Sequence, residues 1–423
     1  MSEPEVHIHE YENGLTLVAE RRPHVRAAAF SLMMRAGPIT APEGREGVSK
    51  VLAEMCYRGA GEFNSRGLSE ALDGLGLQRG GGASGEMASF GGALLADNLG
   101  AALELHADII RRPKLPDSEL EPVVALALQD LEALEDAPAR KMFVHLRRTY
   151  YTSEHGRSAL GTQEALERLS AAALRDDHGR RYTPGGAILS VAGRFDWDWL
   201  KDAVGAGFGD WAGSGPPAPE PAYRTEAHYE HIEQETAQEH IGLTYASIPP
   251  RHPDRYAARM AIGVLSGGMG ARLFTEIREK RGLVYSVSAS PSEVRGHGTI
   301  MCYAGTTPER SQETLDVLVQ ELRRLGEGVE AAELERARGT AFQPGHAGRV
   351  DERTSARHHE RLLLPRPRPV ARRDTGRRRE RDNRGNRGAP RRPPRREFHR
   401  DKPRAASTDR PGVSQRDPSV TPA

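Results

Sequence analysis

Two kinds of hydrophobic pattern share the chain: short runs in which apolar and polar residues alternate, and longer runs with apolar positions every three or four residues. Residues 6–11 and 15–20 flank Asn13 and Gly14, which predicts two strands joined by a tight turn. Residues 27–35, AAAFSLMMR, are largely apolar and predict a central strand. Residues 46–57 place Val48, Val51, Leu52 and Met55 on one helical face. Helices are also predicted over 101–111, 121–135, 142–151 and 160–169, with a closing strand inside 182–193. After a Pro/Gly-rich stretch at 212–221 the plan repeats. A strand at 240–247, a helix at 256–265, a helix-turn-strand inside 267–289 and a strand at 297–305 precede helices at 311–325 and from 330. The expectation is an α+β protein of two similar domains, each a mainly antiparallel sheet flanked by helices. The domains are placed at 1–211 and 222–340, with a linker at 212–221 and a basic tail at 341–423.

Composition changes this picture mainly at the tail. The whole chain has 60 Lys and Arg against 59 Asp and Glu, so it carries no bias toward nucleic acid or membranes. From 341 onward, however, roughly a quarter of the residues are arginine and the main apolar run is residues 362–364. Such a segment cannot offset its ordering entropy by burial. A displaced reading frame beyond about residue 340, which would leave the second domain truncated, is the expectation; a disordered basic arm is the alternative. His358, His359 and Glu360 lie inside it and carry no functional weight. Two cysteines far apart, Cys56 and Cys302, exclude a disulfide framework. The first ten residues show no secretory pattern and no run reaches membrane-spanning length, so a cytoplasmic protein is expected.

Candidate chemistry centres on residues 267–288, GGMGARLFTEIREKRGLVYSVS. Glycines at 267, 268 and 270 allow close backbone approach. The following helix should turn Leu273, Ile277 and Phe274 inward and Arg272, Glu276 and Lys280 to water. Glu276 and Lys280 form a favourable i,i+4 pair, and Gly282 should cap the helix. Arg278 and Tyr285 flank the turn, where a cation and a phenol could both reach a peptide carbonyl. The plainer reading is a surface Arg and a half-buried Tyr. His7 and His9 share a strand face, an arrangement more often solvated than metal-binding.

This stretch resembles the second-half signature of the M16 peptidases, the family of insulin-degrading enzyme, pitrilysin and mitochondrial processing peptidase. The resemblance covers roughly residues 5–340. It implies that Arg278 and Tyr285 hold a substrate backbone opposite a zinc site in the other half. In that family the first helix carries His-x-x-Glu-His, two ligands on one face with a general base between them. Residues 47–55, GVSKVLAEM, align with it, but Lys50 stands at the first His, Ala53 at the base and Glu54 at the second His. Asp130 stands at the third ligand, on a helix whose stripe Val123, Ala127 and Leu134 predicts partial burial. Lys50 is expected to replace the metal by pairing with both Glu54 and Asp130; three separate surface charges are the alternative. Residues 75–95 align with the family's substrate-binding edge strand, where Gly80, Gly81 and Gly82 either permit close approach or loosen the strand.

The resemblance implies a subunit that is inactive alone, holds no metal or cofactor, and works with a zinc-bearing homologue on a peptide substrate. A scaffold without peptide handling, or a lone zinc peptidase with other ligands, are the alternatives.

Overall fold

The computed structural model describes residues 5–217, 219–249 and 251–341. The tail from 342, with His358, His359, Glu360 and the proposed frame change, lies outside the described residues.

Strands β1 (Glu5–Glu10) and β2 (Thr16–Arg21) form an antiparallel hairpin. Gly14 supplies the left-handed conformation at its turn, φ +88°, and Asn13 Oδ1 accepts from the Leu15 N–H at 3.1 Å. β3 (Ala27–Met34) is central. Helix α1 (Val48–Cys56), two short strands β4 (Gly59–Ala60) and β5 (Phe63–Asn64), and α2 (Ser65–Gly74) follow. The aligned edge segment resolves into two strands, β6 (Gln78–Ser84) and β7 (Met87–Leu95), joined by a turn at Gly85, φ +55°. Of these, β6 alone lies at the edge. Gly81, φ +136°, sits so close to the Ser89 carbonyl of β7 that a Cβ would collide with it.

Helices α3 (Leu99–Arg111), α4 (Leu120–Glu132), α5 (Pro138–Tyr150), α6 (Gln163–Glu167) and α7 (Ala171–Arg181) lead to β8 (Ile188–Gly193) and α8 (Trp197–Phe208). The six long strands form one sheet in the order β1-β2-β8-β3-β7-β6, antiparallel except between β2 and β8. Phe30, Leu32 and Met34 of β3 pack in one core with Val51, Leu52 and Met55 of α1 and Ile109 and Ile110 of α3.

The second half is smaller. β9 (Glu239–Ser247), α9 (Arg255–Ser266), β10 (Val284–Val294) and β11 (His297–Thr306) precede α10 (Ser311–Leu325) and α11 (Ala331–Ala341). The sheet order β10-β11-β9 repeats β6-β7-β3 of the first half. Residues 274–279 are wound as a π-helical run, with the Lys280 N–H reaching the Thr275 carbonyl at 2.9 Å. Gly282, φ +60°, ends it, and Leu283 N–H reaches back to Ile277 at 3.0 Å.

Leu273 and Ile277 are buried as expected, but Arg272 is buried too, against expectation. Its guanidinium meets Glu333 of α11 at 2.6 and 2.7 Å and the Gly328 carbonyl at 2.8 Å. A planar fork matched by a carboxylate can be buried where a lone charge could not.

The halves touch at their hairpin turns. Arg295, φ +46°, in the β10–β11 turn lies 3.3 Å from Glu86 in the β6–β7 turn. Nearby, Tyr150 and His297 share a 2.9 Å hydrogen bond and His297 stacks on Tyr223. Among the described residues no helix is long and apolar enough to cross a membrane.

Candidate functional site

Helix α1 starts after Gly47, φ +96°, and is clamped by a buried charge. Arg181 of α7 pairs with Asp177 one turn back and donates to the Gly37 carbonyl at 3.0 Å and to Ser49 Oγ at 2.9 Å. Ser49 precedes Lys50, so this network sets the rotation of α1. The buried face carries Val48, Val51, Leu52 and Met55, leaving Lys50 and Glu54 on the opposite side.

Lys50 Nζ donates to Asp130 Oδ2 in a close ion pair across α1 and α4. Asp130 is more exposed than the apolar stripe suggested: its side chain is 59% accessible. Val123, Ala127 and Leu134 are all buried as expected, although α4 itself ends at Glu132. No ion pair joins Lys50 to Glu54 among the described residues, which corrects half of the expected triad. A half-solvated pair of this kind is worth about 0–1 kcal/mol, so its consequence is occupancy of the space between the helices rather than stability.

These residues do not fit a zinc ion. A protonated ammonium offers three donors and no lone pair, and Ala53 has no group to take a proton from water. Among the described residues no three or more His, Cys, Asp or Glu side chains converge as a metal site would need.

Glu54 opens instead onto a recess of about 360 Å³. Ala53, Glu54, Tyr57 and Arg58 form one wall, Ser65 and Ser69 of α2 another, and residues 79–82 of β6 a third. Arg79 lies 5.4 Å from the Tyr57 ring centre. The Tyr57 hydroxyl is buried with no hydrogen-bond partner, and burial pushes its pKa up.

Arg278 leaves the π-helical run exposed, its guanidinium 5.0 Å from the Phe274 ring centre and without an ion pair among the described residues. The wider turn is held by Glu276, which accepts from Lys280 at 2.7 Å and Arg281 at 2.9 Å; these bonds draw its pKa down. Tyr285 is 61% exposed, and the β10–β11 register shifts between Val284 and Ser286. The irregularity at Tyr285 is of the kind that re-aims a side chain at a strand end. Both residues thus present free donors. No hydrogen bond or ion pair connects them to Lys50, Glu54 or Asp130 among the described residues.

Sequence reasoning missed Arg79, Tyr57 and Arg58, because scattered polar positions leave no periodic signal. It also missed the Arg181 clamp, although Asp177 and Arg181 are legible as an i,i+4 pair.

Known proteins are similar to this chain in sequence and fold. The family profile described as "Insulinase (Peptidase family M16)" matches residues 16–163, and "Peptidase M16 inactive domain" matches 168–340. The uncharacterized zinc protease YmxG of Bacillus subtilis is 28% identical over 331 residues, covering 77% of this chain and 80% of that protein. The uncharacterized zinc protease SCO5738 of Streptomyces coelicolor is 26% identical, covering 77% and 73%. A crystal structure of a peptidase M16 inactive domain from Pseudomonas fluorescens has the same fold. It superposes with a TM-score of 0.74 at 23% identity, covering 85% of this chain and 86% of that one.

Proposed function

The chain belongs to the M16 peptidase family, and on that premise we propose that it is a non-catalytic subunit that holds an extended peptide for a separate, zinc-bearing homologue. The observation that carries this reading is the Lys50–Asp130 ion pair, which puts an ammonium where the resemblance calls for a zinc ligand and ties up the carboxylate at another ligand position. What remains intact is the means to grip. The outer edge of β6, unpaired among the described residues, offers backbone groups to an added strand. Arg278 and Tyr285 each offer a donor to a peptide carbonyl, and a charged donor forms the stronger bond. Zinc chemistry would belong to the partner, a homologue with an intact His-x-x-Glu-His.

The test mixes this chain with such a homologue and follows cleavage of a peptide. Arg278→Ala should lower the assisted rate by at least about tenfold and Tyr285→Phe by less, because a charge-assisted bond outweighs a neutral one. Unchanged rates in both variants would contradict peptide holding and favour a scaffold.

A further inference from the structure

The recess beneath β6 is short of acceptors. Arg79 and Arg58 face a single acid, Glu54, among the groups that line it. Arg58 has a distant contact with Glu119, 3.9 Å, while Arg79 has no carboxylate partner among the described residues and rests on the Tyr57 ring. The Tyr57 hydroxyl is buried and unpaired, and the Ser65 and Ser69 hydroxyls make no hydrogen bond to the protein among the described residues. Guanidinium and hydroxyl donors without acceptors favour a carboxylate.

The strand above the recess is built for approach. Among the described residues β6 pairs with β7 alone, and a Cβ at Gly80 or Gly82 would meet nothing within 4 Å. A peptide added to this edge would direct alternate side chains to one face of the sheet. We infer that the recess selects an acidic side chain, Asp or Glu, of a peptide paired to β6, with Arg79 as the specificity-determining residue. This rests on the peptide-holding reading and deepens it by naming the substrate class. Glu54 acts against the preference by repelling the same carboxylate, so its neutralisation should strengthen it.

Fluorescence anisotropy of the full-length chain with labelled extended peptides tests this. The peptides differ at one central position, Glu, Gln or Lys. The Glu peptide should bind about tenfold tighter than the Gln peptide, as a charge-assisted fork contact allows, and the Lys peptide weakest. Arg79→Gln should erase the Glu-to-Gln ratio, Arg79→Lys should keep part of it, and Glu54→Gln should enlarge it. Arg79 is exposed, so an unchanged thermal midpoint is expected in its variants. Binding of all three peptides with equal strength, or best for Lys, would overturn the acidic preference and leave peptide holding intact. Failure to bind any of them would overturn both.

Discussion

In the first half β3 is hydrogen-bonded on both sides, to β7 and β8, and five of its eight residues are buried. Its counterpart β9 pairs only with β11 among the described residues, and none of its nine residues is fully buried. α5 covers part of β9, with Met142 and Leu146 against Gly242. One strand order therefore supports a deep core in one half and a shallow one in the other. Each half also buries an ion pair, Asp177–Arg181 beside α1 in the first and Arg272–Glu333 in the second. Lys50–Asp130 ties α1 to α4 at the surface, whereas Arg272–Glu333 ties the second-half loop helix to α11 in the interior. In the second half the buried pair joins two elements over a shallow core, whereas in the first half Asp177–Arg181 adds to a deep one.

The largest effect should come from breaking that interior pair. Arg272→Ala leaves Glu333 buried without its partner, and should cost the second half about 4 kcal/mol. Hydrogen exchange should show β9–β11 losing protection while β2, β3 and β8 keep theirs; equal loss in both halves would remove the distinction.

Acid should separate the halves next. Burial lowers the pKa of His106 in the first core from 6.5 to about 4. A depressed folded pKa means that its contribution is present above the unfolded value and lost as pH falls from 6.5 toward 4, about 3 kcal/mol in all. Glu333 is drawn from 4.5 to about 2, chiefly by its bond from Arg272, so its contribution fades only as pH falls from 4.5 toward 2. Denaturant midpoints followed by exchange in each half should show the first sheet weakening at the higher pH. His106→Gln should remove the upper phase, and simultaneous weakening would contradict the assignment.

The smallest effect is expected at the degenerate site. Lys50→Ala should change stability by less than about 1 kcal/mol, because both partners are partly solvated. A loss of several kcal/mol in a thermal melt would mean that this pair is structural after all.

Several of these features were legible in the chain. Asn13-Gly14 announces its hairpin, and three-to-four periodicity places Leu52 and Met55 inward and Lys50 outward on α1. The fixed spacing of a motif also identified Asp130 as a partner for Lys50 across two helices. Arg272 was misread because periodicity describes an isolated helix. Its direction is set by a widened turn and by Glu333, about sixty residues away. Residues 75–95 were misjudged because glycine-rich sequence hides the turn between β6 and β7. The recess depends on α1, α2 and β6 meeting in space, and no single stretch records it.

The most direct measurement is peptide hydrolysis by the purified chain, alone and mixed with an intact His-x-x-Glu-His homologue, with bound zinc quantified in each sample. The account predicts no zinc and no cleavage for the chain alone, and cleavage in the mixture faster than the homologue achieves by itself. Chelator-sensitive cleavage by this chain alone, with one zinc per chain lost on Glu54→Ala, would contradict it.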